Sequence, residues 1–204
     1  VVPSVLYLGG QLAPEIKYAG YDFIAITGRA EKPVYLWIDD DHVELRDASH
    51  LWGKGTRETF KLIWEDIGDE SVQSAVIGPA GERLVRFANI MVDGLFGTGR
   101  GGLGLCLAAK NLKYITVRGS SEVRVHDPRL LETAREEILR LSAAPPVLEG
   151  ALGFSHYGTA ALLDLMHSRR MTPTNNFRRT CFEPAPRLNA HVLKTRYRSR
   201  KYGC

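Results

Sequence analysis

Cysteine is scarce in this chain: Cys106, Cys181 and Cys204 are an odd set without the spacing of a disulfide framework. That argues against a secreted scaffold held by disulfides, and a reducing, cytoplasmic setting is expected. Hydrophobic runs are short as well. None reaches the roughly 18 residues a membrane span needs, and the start shows no basic, apolar and small-residue succession, so neither a membrane partner nor a secretory leader is expected. Internal repeats and low-complexity segments are missing. Neither sign of charge prevails: 27 Lys and Arg against 23 Asp and Glu leave +4, a balance that suits a phosphate-bearing ligand better than a dedicated nucleic-acid protein. The exception is residues 187–201, where six of fifteen are Lys or Arg, with Tyr197 and Tyr202 interleaved. A basic module binding RNA stays open on that stretch, against a solvated helix face.

Glycine is abundant, with 20 residues in 204. Five of them fall in Gly97-Thr98-Gly99-Arg100-Gly101-Gly102-Leu103-Gly104, which opens into an apolar run. A loop so poor in side chains lets backbone N–H groups approach a ligand, and the following helix offers its positive end to an anion. Two registers fit G-x-G-x-x-G, which raises a NAD-binding reading. However, Asp93-Gly94-Leu95-Phe96 separates the loop from the preceding apolar run, and the next strand ends on Arg118 rather than an acid. A glycine turn that serves packing alone is the remaining alternative.

Along the chain, residues 5–8 run into Gly9-Gly10, a second glycine turn, and a short helix follows over 15–19. Residues 21–28 read as a buried strand, and 34–38 and 43–46 as an antiparallel hairpin with one solvated face. Asp39, Asp40, Asp41 and His42 read as its solvated turn rather than a metal site. Thr56 is expected to cap a helix whose inward stripe is Phe60, Ile63, Trp64 and Ile67, ended by Gly68. Strands follow over 72–77, 84–92 and 114–117, with a helix over 103–112 in which Cys106 reads as a core thiol. Beyond Gly119 the composition turns helical, over 129–141, 159–169 and 188–200. A strand-rich half before a helical half predicts an α+β fold, divided into residues 1–121 and 122–204.

Several blocks recur in the order and spacing of one family: Ala19-Gly20-Tyr21-Asp22, Ala30-Glu31-Lys32-Pro33-Val34-Tyr35, residues 44–54, Ile77-Gly78-Pro79-Ala80-Gly81-Glu82, Val85-Arg86-Phe87-Ala88, residues 99–104, Lys110-Asn111-Leu112-Lys113, Tyr157-Gly158-Thr159-Ala160 and Pro173-Thr174-Asn175-Asn176-Phe177. In these blocks the sequence resembles the tungsten-dependent aldehyde:ferredoxin oxidoreductases over nearly its whole length. The resemblance implies a β-rich first domain that carries two molybdopterins holding one tungsten, a [4Fe-4S] cluster beside them, and a helical second domain. Gly9 and Gly10 then resemble the first pterin-contacting turn, Gly97, Gly99, Arg100 and Gly101 the second, and Cys204 the first cluster cysteine of C-x-x-C-x-x-x-C. Backbone N–H groups and a guanidinium suit phosphate oxygens, and a thiolate suits iron.

Two positions depart from the family pattern. Tyr7 stands where the family usually has Asn, and Phe96 where it has Arg, which touches a bridging Mg2+ and one phosphate contact. No catalytic side chain is assigned within the chain. The chain starts on Val1 and stops at Cys204, so it is expected to be a piece of something longer. The implied activity is oxidation of an aldehyde to a carboxylate with electrons passed to ferredoxin, in a protein that forms a homodimer and binds no nucleic acid. A related tungsten enzyme acting on an aromatic acyl-CoA or a carboxylate is the alternative within the same chemistry.

Overall fold

The structure, a computed structural model, describes Tyr7 and residues 9–99 and 101–197. The chain divides into two compact units that part between Arg124 and Val125. In the first, the elements in order are α1 (Leu12–Tyr18), β1 (Val34–Asp39), β2 (His42–Asp47), α2 (Thr56–Ile67), β3 (Gln73–Ile77), α3 (Pro79–Glu82), β4 (Ile90–Val92), β5 (Phe96–Gly97), α4 (Leu103–Ala108) and β6 (Leu112–Arg118). The described strands form one mixed sheet in the order β2-β1-β6-β3-β4-β5. Only β1 and β6 run parallel; β1/β2, β3/β6, β3/β4 and β4/β5 are antiparallel. With its helices, this is the α+β architecture expected from the order of strand and helix signals.

Both faces of the central strands are buried, which is why they read as continuous apolar runs. On one face Tyr35, Trp37, Val76 and Tyr114 meet Phe60 and Ile63 of α2 together with Leu51 and Val72. On the other, Leu36, Ile38, Ala75, Ile77 and Val117 meet Leu12 of α1 and Leu107 and Ala108 of α4. Tyr35 and Tyr114 stack across the parallel pair with ring centroids 4.3 Å apart.

Several expectations give way. Residues 21–28 form no strand: Ile24 and Ile26 pack on the core without a ladder while Phe23 points to solvent. Residues 84–89 are irregular, and only Ile90–Val92 pairs. The edge strand β2 is exposed on both faces apart from Arg46. Gly55 rather than Thr56 caps α2, with the Thr59 hydroxyl donating to the Gly55 carbonyl at 2.9 Å. Trp64 lies at the rim of that helix and Thr59 takes an inward place. Cys106 is exposed, because the short α4 turns Gly104, Leu107 and Ala108 inward.

The second unit contains α5 (Pro128–Ala143), α6 (Pro146–Glu149), α7 (Phe154–Tyr157), α8 (Leu162–Ser168) and α9 (Ala190–Tyr197). Asp127 caps α5 as its sequence suggests, its carboxylate accepting from the N–H groups of Arg129 and Leu130 at 3.0 Å each. The turn after α8 carries Asn175, Asn176 and Phe177 at positive φ and closes on a Thr174–Arg179 bridge. Lys194 on α9 lies 4.7 Å from the centre of the Tyr157 ring, so part of the basic stretch is engaged within its own unit.

Candidate cofactor site

Asp93-Gly94 is a hairpin signal that the sequence reading passed over. Both residues sit at positive φ, 51° and 68°, and the turn reverses β4 into β5 with Val92 opposite Phe96. The chain then enters the glycine loop. Thr98 is buried and fixes the entry twice: its N–H donates to the Ile90 carbonyl and its hydroxyl accepts from the Ile90 N–H, both at 3.1 Å.

The loop glycines divide by what a side chain would meet. A Cβ at Gly102 would overlap the Arg86 carbonyl oxygen, and one at Gly104 would come within 2.5 Å of the Asn89 carbonyl oxygen. The Gly104 N–H is already spent on the Ala88 carbonyl at 3.0 Å. These two glycines let α4 lie on the 86–89 backbone, and Gly81 of α3 closes on Gly104 from another side. Gly99 differs: at φ +78° a Cβ there would have no neighbour within 4 Å. Gly97, Gly99 and Gly101 are exposed. The packing reading therefore holds for Gly102 and Gly104, and Gly97, Gly99 and Gly101 are left as bare backbone facing outward.

The first glycine turn comes to the same place. A Cβ on Gly10, at φ +107°, would overlap Asp93 Oδ2 and lie 3.1 Å from the Phe96 ring and 3.2 Å from Val92 Cγ1. The Gln11 N–H donates to Asp93 Oδ2 at 2.6 Å. Gly9-Gly10 thus abuts the hairpin that delivers Gly97 and Gly99, 87 residues away in sequence. Tyr7, 93% exposed, precedes this turn, and Phe96 fills space beside Gly10. Arg100 and Cys204 lie outside the described residues.

Behind the loop is a buried ion pair that the sequence reading also missed. Lys113 and Glu82 have side chains 0% and 5% exposed and bond to each other. The ammonium also donates to the Lys54 carbonyl at 2.9 Å, and the second Glu82 oxygen accepts the Gly53 N–H at 2.8 Å. The pair thereby ties α3, on which α4 rests, to β6 and the 53–54 loop. A lysine inside the apolar run Leu112-Lys113-Tyr114-Ile115 was the available signal. Among the described residues no three His, Cys, Asp or Glu side chains converge as a metal site, and no helix is long and apolar enough to cross a membrane.

The topology does not form a dinucleotide unit. β5 leads through α4 to β6, which is antiparallel to β5 with β3 and β4 between them, whereas a dinucleotide site needs neighbouring parallel strands. Comparison with known proteins agrees. Residues 4–119 match the family described as "Aldehyde ferredoxin oxidoreductase, N-terminal domain", and residues 133–204 match "Aldehyde ferredoxin oxidoreductase, domains 2 & 3".

The chain belongs to the aldehyde ferredoxin oxidoreductase family. It is 44% identical over 197 residues to the tungsten-containing aldehyde ferredoxin oxidoreductase of Pyrococcus abyssi and 42% identical to that of Pyrococcus furiosus, each alignment taking in 96% of this chain and 32% of the relative. It thus spans about a third of the length of these relatives. An aliphatic sulfonate oxidoreductase WOR-like subunit of Pyrococcus furiosus is 34% identical over 87% of the chain and 29% of its own. Among solved structures, the active site complex BamBC of benzoyl coenzyme A reductase, with bound 1,5-dienoyl-CoA, superposes with a TM-score of 0.68 at 36% identity, over 78% of this chain and 26% of the other. Members of this family named as tungsten-containing imply a tungstopterin. The bare backbone at Gly97, Gly99 and Gly101 suits the phosphate end of such a group, since none of the described residues lies within 4 Å of where a Gly99 Cβ would go.

Proposed function

We propose that this chain is the pterin-facing segment of a cytoplasmic tungstopterin oxidoreductase that oxidises aldehydes to carboxylic acids. Residues 1–121 form the C-terminal part of a pterin-binding domain, and 122–204 belong to the start of a helical domain, with Cys204 as the first cluster cysteine. The observation that carries the reading is the meeting of two glycine turns on one hairpin: Gly10 packs on Val92, Asp93 and Phe96, and the same hairpin leads into Gly97 and Gly99.

In this reading Gly9, Gly10, Gly97, Gly99 and Gly101 would offer backbone N–H groups to phosphate and pterin oxygens, and the Arg100 guanidinium would hold a phosphate. Cys204 supplies one thiolate to a [4Fe-4S] cluster. Phe96 and Tyr7 bring apolar and phenolic surface where the family pattern has a guanidinium and an amide, so these two side chains would not supply that phosphate contact or that amide ligand to a Mg2+. When bound, the tungstopterin supplies the two-electron oxidation of aldehyde and water to carboxylate and the cluster supplies single-electron transfer to ferredoxin; the protein supplies position and electrostatics. Ferredoxin, a small aldehyde and a second copy of the chain are the partners of the whole protein. The benzoyl coenzyme A reductase likeness favours a second reading, an aromatic acyl-CoA substrate, which a panel of aldehydes and acyl-CoA thioesters separates.

The test is Gly99→Asn in the full-length protein, produced anaerobically with tungstate. Asn tolerates the left-handed conformation, so the fold loses about 1 kcal/mol or less, while its side chain enters the open space above the loop. Tungsten by mass spectrometry and pterin by fluorescence fall together. Gly28→Asn, at φ +70° and equally without neighbours, keeps both. Wild-type content in Gly99→Asn refutes the cradle.

A further inference from the structure

We infer that Asp93 is the positioning residue that sets the two glycine turns relative to each other, and hence the width of the cradle between them. This rests on the pterin reading above and adds to it a residue that touches no cofactor. Asp93 sits at the tip of the β4–β5 hairpin at φ +51°, a conformation Asp adopts more readily than most residues. Its backbone N–H donates to the Ser74 carbonyl at 2.9 Å, and Oδ1 accepts the Ser74 N–H at 3.3 Å, so the residue is anchored on β3 by both main chain and side chain. The remaining oxygen, Oδ2, accepts the Gln11 N–H at 2.6 Å.

Among the described residues, that last bond joins the first glycine turn to the hairpin. Gly10 is pressed so close to the carboxylate that a Cβ there would overlap it. Gln11 is also the N-cap of α1 and its side chain makes no cap bond, so the backbone N–H at the start of that helix is held by a carboxylate from the distant hairpin. From Asp93 the chain reaches Gly97 in four residues and Gly99 in six. The carboxylate is thus a rigid strut, held on β3, with one glycine turn bonded to it and the other continuous with it. Its carboxylate oxygens face the backbone donors of Ser74 and Gln11.

The experiment uses the full-length protein loaded with tungsten, with two variants of Asp93 that weaken the same bond to different extents. Asp93→Asn keeps the shape but replaces one acceptor oxygen by an amide NH2 that opposes a backbone donor. Asp93→Gly accepts the positive φ and removes both acceptor oxygens. Each variant should lose about tenfold in tungsten and pterin per chain, the weight of one charge-assisted hydrogen bond, and Asp93→Gly should lose at least as much as Asp93→Asn. The electron paramagnetic resonance spectrum of tungsten in the residual loaded fraction should shift, while tryptophan emission of the sheet unit stays native; a residue that merely stabilised the turn would leave that spectrum unchanged. Wild-type protein that carries tungsten and pterin beside equally loaded variants overturns the role of Asp93 and leaves the pterin reading standing. Wild-type protein without either group overturns both. Should Asp93→Asn fail to fold, Asp93→Gly decides by the same criteria.

Discussion

Replacing Lys113 by Met tests how the glycine loop is held from behind. The ammonium is fully buried and satisfies Glu82, itself 5% exposed, as well as the Lys54 carbonyl. Methionine fills a similar volume but leaves a buried carboxylate without its counter-charge. Removal of one partner of such a pair costs about 3–5 kcal/mol. Because the Gly53 N–H still serves one Glu82 oxygen, we expect the lower figure, about 3 kcal/mol, which moves a urea midpoint by roughly 1–2 M. All three tryptophans, Trp37, Trp52 and Trp64, lie in the sheet unit, so their fluorescence follows that unit. The double variant Lys113→Met/Glu82→Gln keeps an acceptor for Gly53 and removes the orphaned charge, and should regain most of the loss. Burial holds the Lys113 pKa below the ordinary lysine value, against the opposing pull of Glu82. The unfolded chain therefore binds the extra proton, and wild-type stability gains with rising pH between the lowered folded value and about 10.4, a slope that Lys113→Met lacks. A loss under about 1 kcal/mol, or a double variant no better than the single one, would refute the buried-charge account.

Three further outcomes follow from the same structure. Gly104→Ala should cost about 1–3 kcal/mol by driving a methyl group into the Asn89 and Ala88 carbonyls, measured by urea unfolding, and should exceed the effect of Gly99→Asn. The Asp40 carboxyl is held below its ordinary pKa by hydrogen bonds from the side chain and N–H of Ser120, and that of Asp69 by bonds from Ser71 and then the Arg118 charge. Their stabilisation is complete above the ordinary carboxyl value near 3.9 and is lost as pH falls through the lowered folded values, so tryptophan-detected melting temperature should drop below about pH 4, and less so in Asp40→Asn. Asp127→Ala should cost α5 about 1 kcal/mol through loss of its two cap bonds, seen as lower helical circular dichroism on mild heating.

What could be read from the residues and what could not separate along physical lines. The β1–β2 hairpin, the Gly68 stop of α2 and the Asp127-Pro128 start of α5 are local: turn chemistry, a left-handed cap and an N-cap carboxylate act within a few residues. Residues 21–28 have strand composition but pack Tyr21, Ile24 and Ile26 against the core without joining a ladder, and whether a segment finds a partner strand is a long-range property that composition does not carry. Trp64 and Cys106 were misplaced because a helix stripe fixes only a face, and the breadth of that face depends on what packs there. The glycine loop was visible at once. Its tie to Gly10 through Asp93 and its backing by Glu82 and Lys113 depend on contacts 82 and 31 residues apart, so they show only in the fold.

The glycines of the loop illustrate why spacing alone misleads. A G-x-G-x-x-G match counts Gly97, Gly99, Gly101, Gly102 and Gly104 as equivalent, yet they answer to different forces. Gly102 and Gly104 are required by carbonyl oxygens of the 86–89 segment pressing on the helix start, and any side chain would push α4 off the sheet. Gly99 is under no such pressure. It needs only a left-handed φ, which Asn could supply, so the described residues give no steric reason for the absence of a side chain there. A position that the fold leaves free but the sequence keeps bare is where an external group has room to approach the backbone, and here it lies beside the hairpin that also holds Gly10. The packing glycines fix the loop from below and the open ones face outward, which is the arrangement a backbone cradle needs if it is to bind an anion without reorganising.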